Sequence, residues 1–249
     1  MVKPSVSKPR VSLLYSLVLP LTVALFITSN IVAQKFFDWE FLGIFWSLDV
    51  GTLLLFPMIY LLGDVLVEVW GYGAARRVIW TSFAMQALAA ILFTLAVAMP
   101  SSPYFDAPDA FARILGAVPA LVIASLLGYL GGSFSNSYVM AKMKEWMVKW
   151  DPNHKWLPLR TISSTIVGEF VDTVIFIGVG SIAGIFPGEI FIMLTLTSWI
   201  VKTLIEAGMT PFTIIIIKYL KKREGEDAVG IPEGDTYNPL SMLFGWKKK

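Results

Sequence analysis

Six long apolar stretches run along the chain, and short polar or charged connections separate them. A helix that crosses the hydrocarbon core of a bilayer needs about 20 predominantly apolar residues. Each stretch is at least that long, so the pattern predicts an all-α integral membrane protein with six transmembrane helices. Their predicted bounds are near 11–34, 50–70, 75–99, 110–140, 160–186 and 189–220.

Composition agrees with this fold class, because 56% of the residues are hydrophobic and only 15% are charged. A soluble domain has roughly 25% charged residues. The predicted organisation is one transmembrane domain over residues 11–221, with a cytoplasmic N-terminus at 1–10 and a flexible cytoplasmic tail at 222–249. The first apolar run is longer than the roughly 7–15 residues of a signal-peptide core, so it is predicted to be a retained span.

Lysine and arginine alternate between the connections in a way that predicts orientation. They are frequent at the N-terminus, after spans two and four, and in the tail, and they are sparse in the other connections. Cytoplasmic loops carry the excess of Lys and Arg in membrane proteins. The alternation therefore predicts that both termini are cytoplasmic, with Arg76 and Arg77 as cytoplasmic anchors.

Ionisable residues inside the predicted spans are the first candidates for function. Each costs roughly 2.5–3.5 kcal/mol on insertion scales, so such residues are rare unless they have a role. They are Asp64, Glu68, Glu169, Asp172, Lys202 and Glu206. Asp64 and Glu68 are four residues apart and predict one acidic helix face, which is expected to point into the polar interior of the helix bundle. Two alternatives are open for Lys202: it forms an ion pair with Glu206 one turn away, or it forms ion pairs with acids of other spans. The acids themselves either contact a ligand or belong to a structural ion-pair network.

Uncharged polar residues form two further candidate groups. Asn30 and Gln34 are four residues apart in span one and are predicted to share a helix face. They either bind a polar ligand or form hydrogen bonds between helices. In span four, Gly128, Gly131 and Gly132 precede Asn136. Glycines allow helices to approach closely or to break, so this segment is either a packing seam or a polar pocket wall. Glycine packing is compatible with a single chain and with a homodimer.

Several classes of chemistry are excluded by residue type. The chain has no cysteine, and its single histidine, His154, lies in a basic connection without neighbouring ligands. The segment GYGAARR lacks the lysine and the strand–turn–helix setting of a phosphate-binding loop. The sequence therefore predicts no enzyme, no catalytic residues, no metal, no cofactor, no nucleic-acid partner and no ATP-driven motor within this chain.

Five motifs lie in order along the predicted spans: ITSN, FPMIYLLGDVLVEVWGYGAARRVIW, SNSYVMAKMK, LRTISSTIVGEFVDTVIF and WIVKTLIEAGMTPF. Over about residues 20–220 the chain resembles the queuosine precursor transporter family, also called vitamin uptake transporters. The resemblance implies a six-span inner-membrane importer of 7-cyano-7-deazaguanine and 7-aminomethyl-7-deazaguanine. It also implies a plan similar to the substrate-binding subunits of energy-coupling-factor transporters, without an ATPase module. The alternative is a substrate-capturing subunit that relies on a separate ATP-driven partner, which the lack of a small-residue docking stripe in span one disfavours.

With such a ligand, the residues acquire predicted roles. A carboxylate accepts both donors on the edge of a deazaguanine, and Glu169 is the first candidate with Asp172 second. The amide candidates are Asn136, Asn30 and Gln34. The flat ring is predicted to sit between aromatic side chains, for which the candidates are Phe134, Tyr138, Phe170 and Phe176.

The remaining charged residues are predicted to bind an ammonium or a carbonyl group of the substrate, or to take part in gating. Asp64 or Glu68 would bind the ammonium of an aminomethyl group, and Lys202 would donate to the carbonyl or neutralise the acids. An ion-pair or gating network is predicted from Glu206, Arg76, Arg77 and Arg160. Membrane lipid and the small-molecule substrate are the predicted partners.

Overall fold

The computed structural model describes residues 13–147 and 157–224 of the chain, and helices dominate both parts. In chain order the elements are α1 (Leu13–Val32), β1 (Phe36–Phe41), β2 (Ile44–Asp49), α2 (Val50–Leu54), α3 (Phe56–Trp70), α4 (Tyr72–Ala98), α5 (Pro108–Met147), α6 (Leu157–Ile182), a 3₁₀ turn (Gly188–Ile190) and α7 (Phe191–Glu224). The predicted all-α membrane class is confirmed. The predicted N-terminal segment 1–10 and the tail beyond residue 224 lie outside the described residues.

Five of the described helical segments are long and apolar enough to cross a membrane. They are Leu13–Val32, Gly73–Ala98, Pro108–Val139, Ile162–Ile182 and Gly188–Arg223. The predicted second span coincides with α2 and α3, which are interrupted at Leu55. Pro57 explains the interruption, because proline has no N–H to bond the carbonyl four residues earlier. The count of six spans and the cytoplasmic termini stay predictions.

The connection between the first two predicted spans is a β-hairpin, which the hydropathy pattern did not predict. Strands β1 and β2 pair antiparallel from Phe36↔Asp49 to Phe41↔Ile44. Leu42 and Gly43 form the turn with φ angles of 55° and 73°. Positive φ at both central residues is the geometry that matches the twist of a two-residue hairpin.

The hairpin leads directly into α2 and fixes its start. Asp49 ends β2, and its carboxylate accepts a hydrogen bond from the backbone N–H of Thr52 at 2.7 Å. Such a bond satisfies a donor that the first turn of a helix otherwise leaves unpaired. Helix α2 then packs closely on α1, since a Cβ at Gly51 would lie 3.0 Å from the carbonyl oxygen of Ser29.

Glycines form a packing seam between α5 and α6, the pair of helices in most extensive contact. A Cβ at Gly132 would lie 2.9 Å from the carbonyl oxygen of Gly168, and one at Gly168 would lie 2.9 Å from Cβ of Asn136. A Cβ at Gly128 would lie 2.8 Å from Oδ1 of Asp172. The glycines therefore serve helix packing within one chain, and they bring Asp172 against α5.

The seam gives a direct test with a control on the same helix. Gly132→Ala is expected to lower stability by about 1–3 kcal/mol, the usual cost of overpacking, because its Cβ meets backbone that cannot move aside cheaply. Gly116→Ala is the matched control, since no heavy atom lies within 4 Å of a Cβ there. The stability of both variants is measured by thermal unfolding in detergent, with tryptophan fluorescence as the signal. Equal Tm values for the two variants would contradict the seam.

Candidate functional site

A cavity of about 210 Å³ lies between the helices, and each of the described helices α1 to α7 contributes residues to its wall. Asp49, at the end of the hairpin, also lines it. Sites for drug-sized ligands usually measure about 300–1,000 Å³, so this cavity suits a small molecule. Its polar lining comes chiefly from α1, α5, α6 and α7, and its apolar lining is largely aromatic.

A lysine and two acids form a charged cluster in the cavity wall. Lys202 on α7 donates from Nζ to Oδ2 of Asp172 at 2.8 Å, and its Nζ lies 3.8 Å from Oε2 of Glu169. The same Nζ lies 4.9 Å from the ring centroid of Phe56. The Lys202 side chain is only 8% exposed, so it needs such partners. Of the alternatives for Lys202, the structure shows pairing with the acids of α6.

Glu206, one helical turn beyond Lys202, faces a different neighbour. The hydroxyl of Tyr60 on α3 donates to Oε1 of Glu206. Asp64 follows Tyr60 by one turn and is partly buried. Neither Asp64 nor Glu206 lines the 210 Å³ cavity. These two acids therefore lie at the α3–α7 contact, beside the charged cluster and outside its cavity.

Glu68 lies away from the cavity, so the predicted inward acidic face over Asp64 and Glu68 is wrong for Glu68. Its side chain is 58% exposed and its Oε2 accepts a hydrogen bond from Nζ of Lys221 at 3.0 Å. The buried face of α3 is instead apolar and includes Val65, Leu66 and Val69. Glu68 lies near the end of α3, and its partner Lys221 lies near the end of α7.

Because Glu68 is exposed, we expect its replacement to have only a small effect on stability and on ligand binding. Exposed ion pairs are worth about 0.2–1 kcal/mol, so Glu68→Gln is expected to change stability by no more than that. Ligand binding is expected to stay at the wild-type level. Unfolding in detergent and equilibrium binding measure the two quantities, and a loss of binding in Glu68→Gln would place this acid in the ligand site after all.

Two amides in the membrane domain are joined, and only one of them was predicted. Asn30 lines the cavity, donates from Nδ2 to Oε1 of Gln86 at 2.5 Å, and accepts from Oγ of Ser125 at 3.0 Å. Gln86 on α4 is 1% exposed. The sequence reasoning missed Gln86, although a single glutamine within WTSFAMQALAAILF is a signal of an interhelical polar contact.

Gln34 does not share a helix face with Asn30. Helix α1 ends at Val32, so Gln34 lies beyond it, and its Nε2 donates to the carbonyl oxygen of Ile114 at 2.8 Å. The spacing of four residues was correct, but the prediction required the helix to continue to residue 34. Gln34 therefore attaches the end of α1 to α5 and does not line the cavity.

Of the four aromatic candidates, Phe176 lines the cavity, whereas Phe134 and Tyr138 do not. These side chains are 48% and 65% exposed and lie on the outer face of α5. Each is two residues from Asn136 in the sequence, which turns a helical side chain through about 200°. The aromatic rings that line the cavity are Phe26, Phe56, Phe83, Tyr129 and Phe176. Among them, Phe83 and Tyr129 have ring centroids 5.5 Å apart.

The remaining predicted residues lie closer to the helix ends. Asn136 lines a second, smaller cavity next to the first. Arg76 is partly buried and Arg77 is exposed near the start of α4. Arg160 falls in the first turn of α6, and its side chain is not among those the structure describes. In residues 13–147 and 157–224, no group of three or more His, Asp or Glu side chains is placed to hold a metal ion.

Membrane-spanning helices around a small cavity with buried charges are the features of a multi-pass membrane transporter. Residues 49–216 match the family described as "Putative vitamin uptake transporter", and the chain belongs to that family. A relative from Bacillus subtilis (strain 168), named "Probable queuosine precursor transporter", is 24% identical over 177 residues. The match covers 69% of this chain and 72% of the relative. No solved structure shows a significant match.

Proposed function

We propose that the protein imports the queuosine precursors 7-cyano-7-deazaguanine and 7-aminomethyl-7-deazaguanine across the inner membrane, and that the base binds in the 210 Å³ cavity. The family and the name of the Bacillus relative support this substrate class. One observation carries the choice of site: Oε2 of Glu169 is buried in the cavity wall without a hydrogen-bond partner among the described residues. Nζ of Lys202 lies 3.8 Å from this oxygen, beyond hydrogen-bond distance, so the acceptor remains to be paired by a ligand or water.

Glu169 is the residue that we assign to the donor edge of the base. A deazaguanine presents a ring N–H and an exocyclic amine side by side, and a carboxylate accepts both in a bidentate pair. Asp172 is already engaged by Lys202 at 2.8 Å, which leaves Glu169, at 3.8 Å from the same nitrogen, as the less committed acid. Lys202 then keeps the net charge of the site low enough for both acids to be buried.

Asn30 is the residue that we assign to the carbonyl of the base. Its amide nitrogen has two hydrogens, and one of them is used by Gln86. Among the described residues the second has no acceptor, since Ser125 contacts the amide oxygen and not the nitrogen, and we assign this hydrogen to an acceptor on the ligand. Phe56, Phe83 and Phe176 line the same cavity and supply apolar surface for a flat ring.

The proposed importer works without an ATP-driven partner. The test is uptake of labelled 7-cyano-7-deazaguanine in cells that lack coupling-factor genes and express either this chain or an empty vector. Expression is expected to produce uptake, and the effect of an uncoupler then shows whether transport is ion-coupled. Glu169→Gln is expected to lose uptake, whereas Glu68→Gln, the same exchange at an exposed acid, is expected to keep it. No uptake by the correctly inserted wild-type protein would contradict the proposal.

A further inference from the structure

A second cavity, of about 170 Å³, adjoins the first and has no role so far. It lies between α5 and α6, and it shares Tyr129, Glu169 and Asp172 with the 210 Å³ cavity. Beyond these shared residues the two cavities extend in opposite directions. The first continues to Ser125 and Phe176, and the second continues to Asn136 and Thr165. The shared side chains therefore form the boundary between two adjacent spaces.

The second cavity extends toward one end of the helix pair. Asn136 follows Tyr129 by seven residues, and Thr165 precedes Asp172 by seven residues. At 1.5 Å per residue, each interval spans roughly 10 Å along its helix. Both intervals point to the ends of α5 and α6 that are joined by residues 148–156. A molecule that moved from the first cavity into the second would thus move toward that connection.

The wall of the second cavity contains polar groups that a ligand can use. Ser133, Asn136 and Thr165 line it, and Oδ1 of Asn136 is buried without a hydrogen-bond partner among the described residues. Leaving such an acceptor unpaired costs about 1–3 kcal/mol, so a bound molecule with a donor would be stabilised there. Gly132 and Gly168 also line the space, at the point where α5 and α6 approach each other closely.

We propose that this second cavity is a second station on the transport path, which binds the same flat, hydrogen-bonding heteroaromatic base after it leaves the 210 Å³ cavity. The inference rests on the proposed function. The base passes the boundary at Glu169 and Asp172 and exchanges its bonds there for bonds to Asn136 and to the hydroxyls of Ser133 and Thr165. It then leaves at the face where α5 ends and α6 begins.

Thiol accessibility tests the path without reference to the substrate, because the natural chain has no cysteine. Thr165→Cys places a thiol in the second cavity. Val167→Cys is the control on the outer face of the same helix, because Val167 is 38% exposed and lies about 200° around the helix from Thr165. A membrane-impermeant thiol reagent is applied to right-side-out and inside-out vesicles. Thr165→Cys is expected to react at least tenfold faster than Val167→Cys, and only from the face at which α5 ends. Equal rates at the two positions would overturn the inference.

A bulky substitution in the second cavity tests whether transport depends on that cavity. Thr165→Phe fills the second cavity, so uptake of 7-cyano-7-deazaguanine by proteoliposomes is expected to fall at least tenfold. Val167→Phe adds the same ring on the outer face and is expected to keep wild-type uptake. Wild-type uptake by Thr165→Phe would overturn the inference. If the wild-type protein neither binds nor transports deazaguanines while Thr165→Cys still reacts from the expected face, the proposed substrate is wrong and the path stands.

Discussion

Glu169→Gln is expected to weaken binding of 7-cyano-7-deazaguanine by about a hundredfold or more. The carboxylate accepts two hydrogen bonds from the edge of the base, whereas a glutamine amide has one acceptor and turns an N–H toward a donor. Hydrogen bonds to charged groups contribute about 1.5–3 kcal/mol each, and every 1.4 kcal/mol corresponds to a factor of ten in affinity. Isothermal titration of purified protein in detergent measures the change.

The control for Glu169→Gln is the same exchange at Glu68, which is 58% exposed and pairs with Lys221. Both variants remove one negative charge from a membrane helix, so their difference isolates the position of the acid. Wild-type affinity in Glu169→Gln, with the protein folded, would remove Glu169 from the binding site. Equal losses in both variants would indicate a general effect of charge.

Lys202→Met is expected to be the most destabilising single substitution in the cavity wall. It leaves Glu169 and Asp172 buried without the cation that lies 3.8 Å and 2.8 Å from their oxygens. Removing one partner of a buried ion pair usually costs about 3–5 kcal/mol, because the remaining charge is uncompensated. Thermal unfolding in detergent is expected to show a strongly lowered Tm for this variant.

The double variant Lys202→Met/Asp172→Asn separates charge compensation from simple loss of packing. It removes the cation together with the acid that it contacts most closely, so it is expected to be more stable than Lys202→Met alone. The coupling energy from the four proteins measures the pair directly. If the double variant lost the sum of the two single effects, the pair would not be coupled and the proposed charge balance would be incorrect.

The fold class was predictable because hydropathy reports directly on the bilayer. A run of apolar residues long enough to cross the membrane is visible without any tertiary information. The hairpin at 36–49 was not predicted, since a two-stranded element of 14 residues between spans leaves no mark in a long hydropathy window. The interruption at Leu55 was also missed, although Pro57 two residues later was a local signal for it.

The sequence allowed us to predict which residues form the candidate site, but only part of how they contact one another. The cost of buried charge pointed to Glu169, Asp172 and Lys202, and all three line one cavity. Spacing along one helix could not show that Lys202 contacts α6 rather than Glu206 on its own helix. That choice depends on how α6 and α7 pack, which single-sequence reasoning does not contain.

The errors at the aromatic and amide positions have similar causes. Phe134 stands next to polar cavity residues in the sequence but about 200° away from Asn136 around the helix. Gln34 needed α1 to extend past Val32, and helix ends are the least predictable part of an element. Gln86 was overlooked although it is an amide of the same kind, and it is the hydrogen-bond partner of Asn30.

The central claim is that the cavity recognises the donor edge of a deazaguanine through Glu169. The most direct measurement is the affinity of wild type and Glu169→Gln for 7-cyano-7-deazaguanine and for its analogue without the exocyclic amine. Wild type is expected to prefer the amine-bearing ligand by about tenfold or more, the worth of one hydrogen bond to a charged group, and Glu169→Gln is expected to lose that preference. Equal affinity of the wild-type protein for both ligands would contradict the account.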